Sequence, residues 1–419
     1  MTQIRIQQPM IISLILLGGL ISGVFGQAAA PAVSAGPVNQ LEVDNIRNKN
    51  LLNVKDQETL AKYIKEQFAR MLQPKEAATL HTISSNLAEK SVIVNFKNEA
   101  AQQAYSDFFA GEVSNNFKLV YGQAAKLEDK IVAEQIQLAA AAVIAQADNQ
   151  KLIKDLLSLL QNPSSKIVYL GAKGLTQANI RKSLLVLPTS DQNFQAVVKG
   201  LGTAVKAPDK PTQSNDMILA TIAVAGAFPQ DPASAALLKK IAQLRLEAYE
   251  NWVMVGNELC DLDIIKQALG LVNKGVFANA AANADLVKTA ADLYTAAFWR
   301  YVKGMEFNDT QKKTIVCVLS SYSQAQLPTV LIEGEREFLR ISSSKLAPRM
   351  PVAVKPGTQR KTDLTRIYDA LLGLNGPVNQ AFRIYGAGAD PKTSTLPDPP
   401  APMVTRALAQ SNTIQPESR

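Results

Sequence analysis

The chain has 419 residues, 47% of them apolar, which is enough for one large or two ordinary domains with a substantial core. Only 6% of the residues are aromatic, and apolar residues rarely alternate with polar ones, so the composition favours packed helices over sheets. The formal charge is +8, but residues 341–419 carry ten basic against five acidic side chains, so the body over 31–340 is nearly balanced.

The N-terminus has the pattern of a bacterial export signal. A polar start with one basic residue, Arg5, precedes the apolar run IISLILLGGLISGVF over 11–25, and small residues follow it. The run is shorter than the ~20 residues of a membrane span. We expect a signal peptide over 1–26, no lipoprotein cysteine, and a periplasmic or extracellular protein. An uncleaved segment that anchors the chain in the membrane is the alternative.

Residues 27–40 are rich in Ala, Pro, Ser and Gly, which predicts a flexible leader. Helical periodicity then defines an N-terminal helical region over 41–126, with its clearest apolar stripe between 54 and 72. The best strand candidate of the whole chain is SVIVNF, over 91–96. Because it is isolated, we interpret it as an extended connection or a helix edge.

From residue 127 to 340, short polar breaks separate apolar helical segments, which predicts a series of helical hairpins. In the clearest one, a leucine-rich segment ends at Asn162 and Pro163, and the apolar pattern resumes at once. Asn is a good N-cap and Pro suits the first helical position, so these residues predict the start of the next helix. Gly171 and Gly174 lie on its apolar face and should let a neighbouring helix approach closely.

The stretch LLSLLQNPSSKIVYLGAKGL, residues 156–175, resembles a HEAT-type helical repeat. That family often places Asn-Pro or Asp-Pro between its helices, then an aliphatic residue, small residues and a leucine. The matching residues here are Asn162, Pro163, Ile167, Gly171, Ala172, Gly174 and Leu175. Val168 stands where the family usually has arginine, so its polar ladder between repeats is not implied. The resemblance implies an all-α fold of stacked helical hairpins over 127–340, as a HEAT-like or irregular α-solenoid.

Beyond residue 340 the composition changes, and residues 341–419 form a basic, Pro-rich tail. TDLTRIYDALLGLNG, over 362–376, predicts one short amphipathic helix that packs on the body or on a partner. From Pro377 onwards we expect disorder.

The chain holds few residues for metal or nucleophilic chemistry. His81 is the only histidine, and Cys260 and Cys317 are the only cysteines, too few for a typical zinc site. Asp261 and Asp263 lack the surrounding loop of a calcium hand. In an oxidising compartment Cys260 and Cys317 could form one disulfide, and two separate buried thiols are the alternative.

Two further patterns match catalytic spacings only superficially. SSSK, over 342–345, has the Ser-x-x-Lys spacing of penicillin-recognising enzymes, but the partner motifs are missing. Glu333, Glu335 and Glu337 could supply an acid pair, yet their spacing beside Arg336 is typical of a solvated, charge-balanced helix face. We therefore expect no catalytic residue, no metal and no cofactor.

These observations predict an exported, non-enzymatic helical-repeat protein that acts as a protein-binding or scaffolding module in the cell envelope or periplasm. Its partner would be another protein or an anionic envelope polymer, and nucleic acid is not expected. One alternative is a carboxylate-dependent hydrolase or lyase acting on glycans. The chain has only two tryptophans, Trp252 and Trp299, to stack on sugars, which argues against it. A second alternative is a structural envelope protein tethered by its basic tail.

Overall fold

A computed structural model of the chain describes residues 40–385 with several short gaps. The gaps are residue 50, 74–76, 92–97, 207–212, 251–256, 274–279, 307–320, 356–359 and residue 374. Every described residue belongs to the same compact unit. The predicted signal peptide and all but the last residue of the predicted leader lie outside the described residues, as does the strand candidate 91–96 apart from Ser91, which ends a helix.

The described residues form α-helices joined by short turns, with no strand among them, so the all-α prediction is confirmed. The helices are α1 Gln40–Arg47, α2 Val54–Met71, α3 Ala77–Ser91, α4 Glu99–Ala124, α5 Lys130–Gln146, α6 Ile153–Leu159, α7 Ser165–Leu175, α8 Ala178–Val186, α9 Gln192–Ala204, α10 Gln213–Ala225, α11 Ala233–Glu250, α12 Leu259–Asn273, α13 Ala280–Glu306, α14 Ser321–Ile341, α15 Met350–Ala353, α16 Lys361–Leu372 and α17 Pro377–Tyr385. A 3-10 turn, Gln150–Leu152, leads into α6.

Several helices begin where a short polar side chain accepts hydrogen bonds from the unpaired backbone N–H groups of the first turn. Asn53 and Asp56 form a reciprocal capping box at the start of α2. Asn98, Asp129 and Asp191 cap α4, α5 and α9 in the same manner. The helix starts are therefore encoded locally, and apolar packing then fixes how the helices associate.

Twelve of the described helices pack in two rows of six. In the front row α3, α5, α7, α10, α12 and α14 follow one another, each in contact with the next. The back row is α2, α4, α6, α9, α11 and α13, where α4 meets the 3-10 turn that precedes α6. Hairpin partners such as α4 with α5, α6 with α7 and α12 with α13 connect the rows. This order of contacts agrees with stacked hairpins, while membership of the HEAT type stays a prediction.

The α6–α7 hairpin is closely packed through its glycines, as the sequence predicted. A Cβ atom on Gly171 would lie 2.9 Å from the carbonyl oxygen of Leu156, and one on Gly174 would meet the Leu156 side chain of α6 as well as the Cα atom of Ala145 in α5, at 3.1 Å. The predicted N-cap was wrong, however. α7 begins at Ser165, after Ser164, and the Asn162 side chain accepts a hydrogen bond from the backbone N–H of Ser164 at 2.8 Å.

The C-terminal helices pack on the body, which corrects the expectation of disorder from Pro377. α17 begins at that proline and contacts α13 and α14. The amphipathic helix predicted over 362–376 is α16, and it packs on the protein itself. Its Tyr368 ring stacks on Phe298, with centroids 4.3 Å apart, and its hydroxyl hydrogen-bonds to the Thr295 Oγ1 at 3.1 Å. Residues after 385 lie outside the described part of the chain.

Candidate functional site

A buried cluster of charged side chains joins α10, α11 and α12. At its centre is Arg245, only 1% exposed, whose Nε donates to Asp261 Oδ1 at 2.6 Å and whose Nη2 donates to Asp261 Oδ2 at 3.0 Å. The third nitrogen of the guanidinium group, Nη1, forms an ion pair with Asp216 of α10. The Tyr249 hydroxyl donates a further hydrogen bond to Asp261 Oδ2 at 2.6 Å.

The cluster continues toward α13 and α14. The Arg300 guanidinium lies over the Tyr249 ring, 5.3 Å from its centroid. Buried Glu258, which precedes α12, donates its backbone N–H to Gln326 Oε1 of α14 at 2.8 Å. The Asp216 carboxylate accepts the backbone N–H of Asn257 at 3.0 Å. Side chains from five helices therefore meet in one buried polar centre.

Burial dominates the electrostatics of this centre. Burial by itself would lower the pKa of Arg245, but Asp261 and Asp216 raise it well above its usual value. Burial raises the pKa of Asp216 against the opposing effect of Arg245, and it raises the pKa of Tyr249 well above its usual value. Burial lowers the pKa of Arg300.

This arrangement is suited to holding helices together rather than to transferring protons. Asp261 already accepts three hydrogen bonds, and Tyr249 keeps its proton near neutral pH because its pKa is raised. Arg245 keeps its charge because two carboxylates face it. A general acid or base needs a pKa near the working pH, and neither Tyr249 nor Arg245 has one.

This centre was not predicted from the sequence, although one signal was present. Arg245 continues an apolar stripe formed by Leu238, Ile241 and Tyr249, which recur at helical spacing on α11. A cation on such a stripe is either at the end of the core or buried with a partner. Asp261, which we considered only as a calcium ligand, is that partner.

The other sequence candidates are dispersed. His81 is exposed on α3. Ser342 is buried and its hydroxyl donates to the carbonyl of Leu339, while Lys345 is exposed. Cys260 is buried on α12, and burial raises the pKa of its thiol. Cys317 lies outside the described residues, so the disulfide between Cys260 and Cys317 stays a prediction.

The three glutamates of α14 have different roles. Glu333 pairs with Arg336, and Glu337 pairs with Arg340 at 2.7 Å, as expected of a charge-balanced face. Glu335 is 3% exposed, so the prediction of a solvated side chain was wrong for this residue. Its carboxylate accepts backbone N–H groups of Arg349 and Met350 at 2.8–3.0 Å, and so caps α15.

A second candidate site lies on the solvent side of the front row. Tyr169 and Lys173 stand on α7 opposite its buried glycines, and Leu259 and Asp263 are exposed on the first turns of α12. We call these four residues the front patch. α10 separates the two helices in the row, and their titratable groups influence one another electrostatically. Besides burial, Cys260 of α12 raises the pKa of Tyr169.

Asp263 contributes an acidic group to the front patch. Its side chain is exposed, yet desolvation by the surrounding protein raises the pKa of the carboxyl group, while Lys266 and then Lys173 oppose this rise. The front patch combines an aromatic ring, an aliphatic side chain and charges of both signs, and tyrosine is among the residues enriched where proteins bind other proteins.

Two other kinds of site are absent from the described residues. No three or more His, Cys, Asp or Glu side chains of these residues are grouped so that they could hold a metal ion. None of their helices is both long and apolar enough to cross a bilayer. Comparison with protein-family models, curated proteins and solved structures finds no match for this chain.

Proposed function

We propose that this protein is an exported, non-enzymatic binding module that holds a segment of another protein against its front row of helices, in the periplasm or cell envelope. The observation that carries the proposal is the front patch, where α7 and α12 present Tyr169, Lys173, Leu259 and Asp263 to solvent on either side of α10. A stack of helical hairpins offers an extended face for such binding.

The chemistry of the front patch supports a protein partner. Tyr169 is half-buried, so its ring is held in place and can anchor a side chain at small entropic cost. Leu259 is 37% exposed and adds apolar surface beside it. Lys173 can pair with an acidic group of the bound segment and Asp263 with a basic one, and together they can fix its register.

The buried centre supports the non-enzymatic half of the proposal. Its Asp216 and Asp261 carboxylates bond to Arg245 or to backbone groups, and the glutamates of α14 pair with arginines or cap α15. A hydrolase acting on glycans needs two carboxyl groups that face the same bound sugar. The two aspartates and the three glutamates already have partners within the protein.

Site-specific photo-cross-linking in the source organism tests the proposal. A photoreactive phenylalanine analogue at Tyr169 should give a discrete adduct with another protein, and the same analogue at Leu119, 62% exposed on the back row, should not. Lys173→Glu should reduce the Tyr169 adduct severalfold without changing the circular dichroism spectrum. Equal adducts at both positions, or none at Tyr169, would disprove binding at the front patch.

A further inference from the structure

One segment of the body, whose net charge is otherwise close to zero, is strongly basic. Residues 149–207 contain eight lysine and arginine side chains and only two acidic ones. Seven of the eight are lysines, and the single arginine, Arg181, is engaged with the carbonyl groups of Ala225 and Ala227 after α10. The excess charge is therefore carried by lysines, and the fold decides where they lie.

Helix packing directs Lys151 and Lys154 away from the core. On α6, Leu156 and Leu159 face the glycines of α7, and a Cβ atom on Gly171 would lie 2.9 Å from the Cβ of Leu159. Lys154 lies on the opposite side of the helix, and Lys151 precedes it on the same side. Both lysines are exposed on the solvent face of the back row.

α9 continues this lysine surface. A Cβ atom on Gly200 would lie 2.8 Å from Leu157 of α6, so the two helices touch at this point and Lys199 lies next to the contact. Lys199 is exposed on α9, opposite buried Val197 and Leu201, and exposed Lys206 follows shortly after the helix ends at Ala204. We call the surface formed by Lys151, Lys154, Lys199 and Lys206 the back strip.

Two neighbouring lysines extend the back strip at its ends. Lys118 of α4 lies 3.4 Å from the buried Asp155 carboxylate of α6. Lys240 of α11 donates to the carbonyl groups of Gly202 and Val205, at 3.4 and 3.1 Å, at the end of α9. The positive charge therefore crosses four consecutive helices of the back row.

The acidic side chains near the back strip have other partners. Asp155 pairs with Lys118, and Asp191 caps the start of α9. Asp107 accepts a hydrogen bond from Lys151 with its backbone carbonyl at 3.3 Å, while its carboxylate accepts from Asn149 at 2.9 Å. Lys154, Lys199 and Lys206 form no ion pair with any described residue. Lysines without partners on one rigid surface repel each other and gather counterions, which a polyanion can release.

We propose that the back strip binds a linear polymer that carries phosphate groups. Helix axes in contact are ~8–10 Å apart, so lysines on successive helices form a row that a flexible chain can follow. Lysine binds phosphate as a point charge without the fixed geometry that arginine imposes, so the polymer need not present one orientation. This site is separate from the front patch and does not depend on the proposed function.

The side chains between the lysines favour a thin polymer over a protein or a membrane. Ser158 of α6 and Ala196 and Thr203 of α9 are small exposed neighbours of the lysines, whereas exposed Gln195 precedes Lys199 by one turn and Leu119, beside Lys118, is 62% exposed. A protein interface needs buried apolar or aromatic anchors, and a membrane surface needs apolar side chains that insert. Around Lys154 and Lys199 the back strip presents charge beside small or polar side chains, whereas the front patch presents an aromatic and an aliphatic side chain.

Binding of inorganic polyphosphate to the purified full chain tests this proposal. Fluorescence anisotropy with a labelled polyphosphate should give saturable binding that weakens steeply between low and physiological salt. The double variant Lys154→Glu with Lys199→Glu should weaken binding roughly tenfold or more and flatten the salt dependence. The matched control, Lys130→Glu with Lys345→Glu, removes the same charge from exposed positions on α5 and after α14 and should change affinity less than about twofold.

Two further probes complete the test. Poly-L-glutamate and vesicles of anionic phospholipid should both bind more weakly than polyphosphate. Equal losses in the two double variants would show that net charge, not the back strip, attracts the polymer. Tighter binding to poly-L-glutamate would identify an acidic-protein surface, and tighter binding to vesicles a membrane surface. Any of these outcomes, or no binding of polyphosphate, overturns the proposal.

Discussion

The Arg245 guanidinium donates two hydrogen bonds, of 2.6 and 3.0 Å, to the two oxygens of the Asp261 carboxylate and so joins α11 to α12. Both side chains are almost completely buried. A buried pair of this kind gives little net stability compared with apolar residues, because both charges have lost their water. It makes the loss of one partner costly, however, because the remaining charge stays buried without compensation.

Replacing Arg245 by methionine should therefore lower the free energy of unfolding by about 3–5 kcal/mol. The substitution leaves Asp261 and Asp216 buried without their common cation. Urea denaturation followed by circular dichroism measures the change. Lys239→Met removes a cation from an exposed pair with Asp285 and should cost less than about 1 kcal/mol. A cost below about 1 kcal/mol for Arg245→Met would contradict a structural role for the pair.

Two buried tyrosines should respond in opposite ways to loss of the hydroxyl group. Tyr249 donates to the charged Asp261, so Tyr249→Phe should cost about 1.5–3 kcal/mol. The Tyr63 hydroxyl is buried and has no hydrogen-bond partner among the described residues. Tyr63→Phe should therefore leave the free energy of unfolding unchanged or raise it by about 1 kcal/mol. Equal losses in the two variants would contradict the different surroundings of the two hydroxyls.

Tyr63 also predicts how the stability of the fold changes at alkaline pH. Burial raises its pKa from 10.0 to about 12 in the folded protein. Above pH 10 the unfolded chain loses this proton while the folded protein keeps it, so stability is complete below pH 10 and falls as the pH rises toward 12. Urea denaturation between pH 8 and 11.5 should show this fall, and Tyr63→Phe should reduce it. An unchanged fall in the variant would assign it to other groups.

The sequence predicted the helices well because their signals are local. Apolar residues at helical spacing and Asn or Asp caps depend only on neighbours in the chain, and α2 and α9 follow these signals closely. The α7 cap was misplaced by two residues because Asn162, Ser164 and Ser165 are all acceptable caps. Choosing among them depends on tertiary contacts, such as the hydrogen bond from the Ser164 hydroxyl to Glu134 at 2.6 Å.

The candidate sites could not be predicted in the same way, because they join residues far apart in the chain. Asp216, Arg245 and Asp261 come from three helices, and each alone is typical of a solvated charge. The front patch likewise depends on where packing places α7 and α12 on either side of α10. The order of helices in a row follows from packing, which hydrophobic periodicity alone does not specify.

Glu335 should connect the stability of the C-terminal helices to α14. Its carboxylate accepts the backbone N–H groups that start α15, so Glu335→Ala should cost about 1–2 kcal/mol and speed amide hydrogen exchange in residues 350–353, where Met350, Val352 and Ala353 carry amide hydrogens. Glu333→Ala removes only an exposed partner of Arg336 and should leave that exchange unchanged. Equal protection of residues 350–353 in both variants would show that the cap does not hold α15.

Gly171 and Gly202 test how far the α6–α7 hairpin depends on close approach. At Gly171 a methyl group would meet the Leu156 carbonyl and the Leu159 side chain, both at 2.9 Å, while at Gly202 on α9 it would meet nothing within 4 Å. Gly171→Ala should therefore lower the free energy of unfolding by about 1–3 kcal/mol through overpacking. Gly202→Ala should raise it by up to about 1 kcal/mol, because alanine favours the helix. Thermal and urea denaturation measure both variants. A gain in stability for Gly171→Ala would mean that α6 and α7 can separate at little cost, and the close hairpin would then not be what organises this part of the stack.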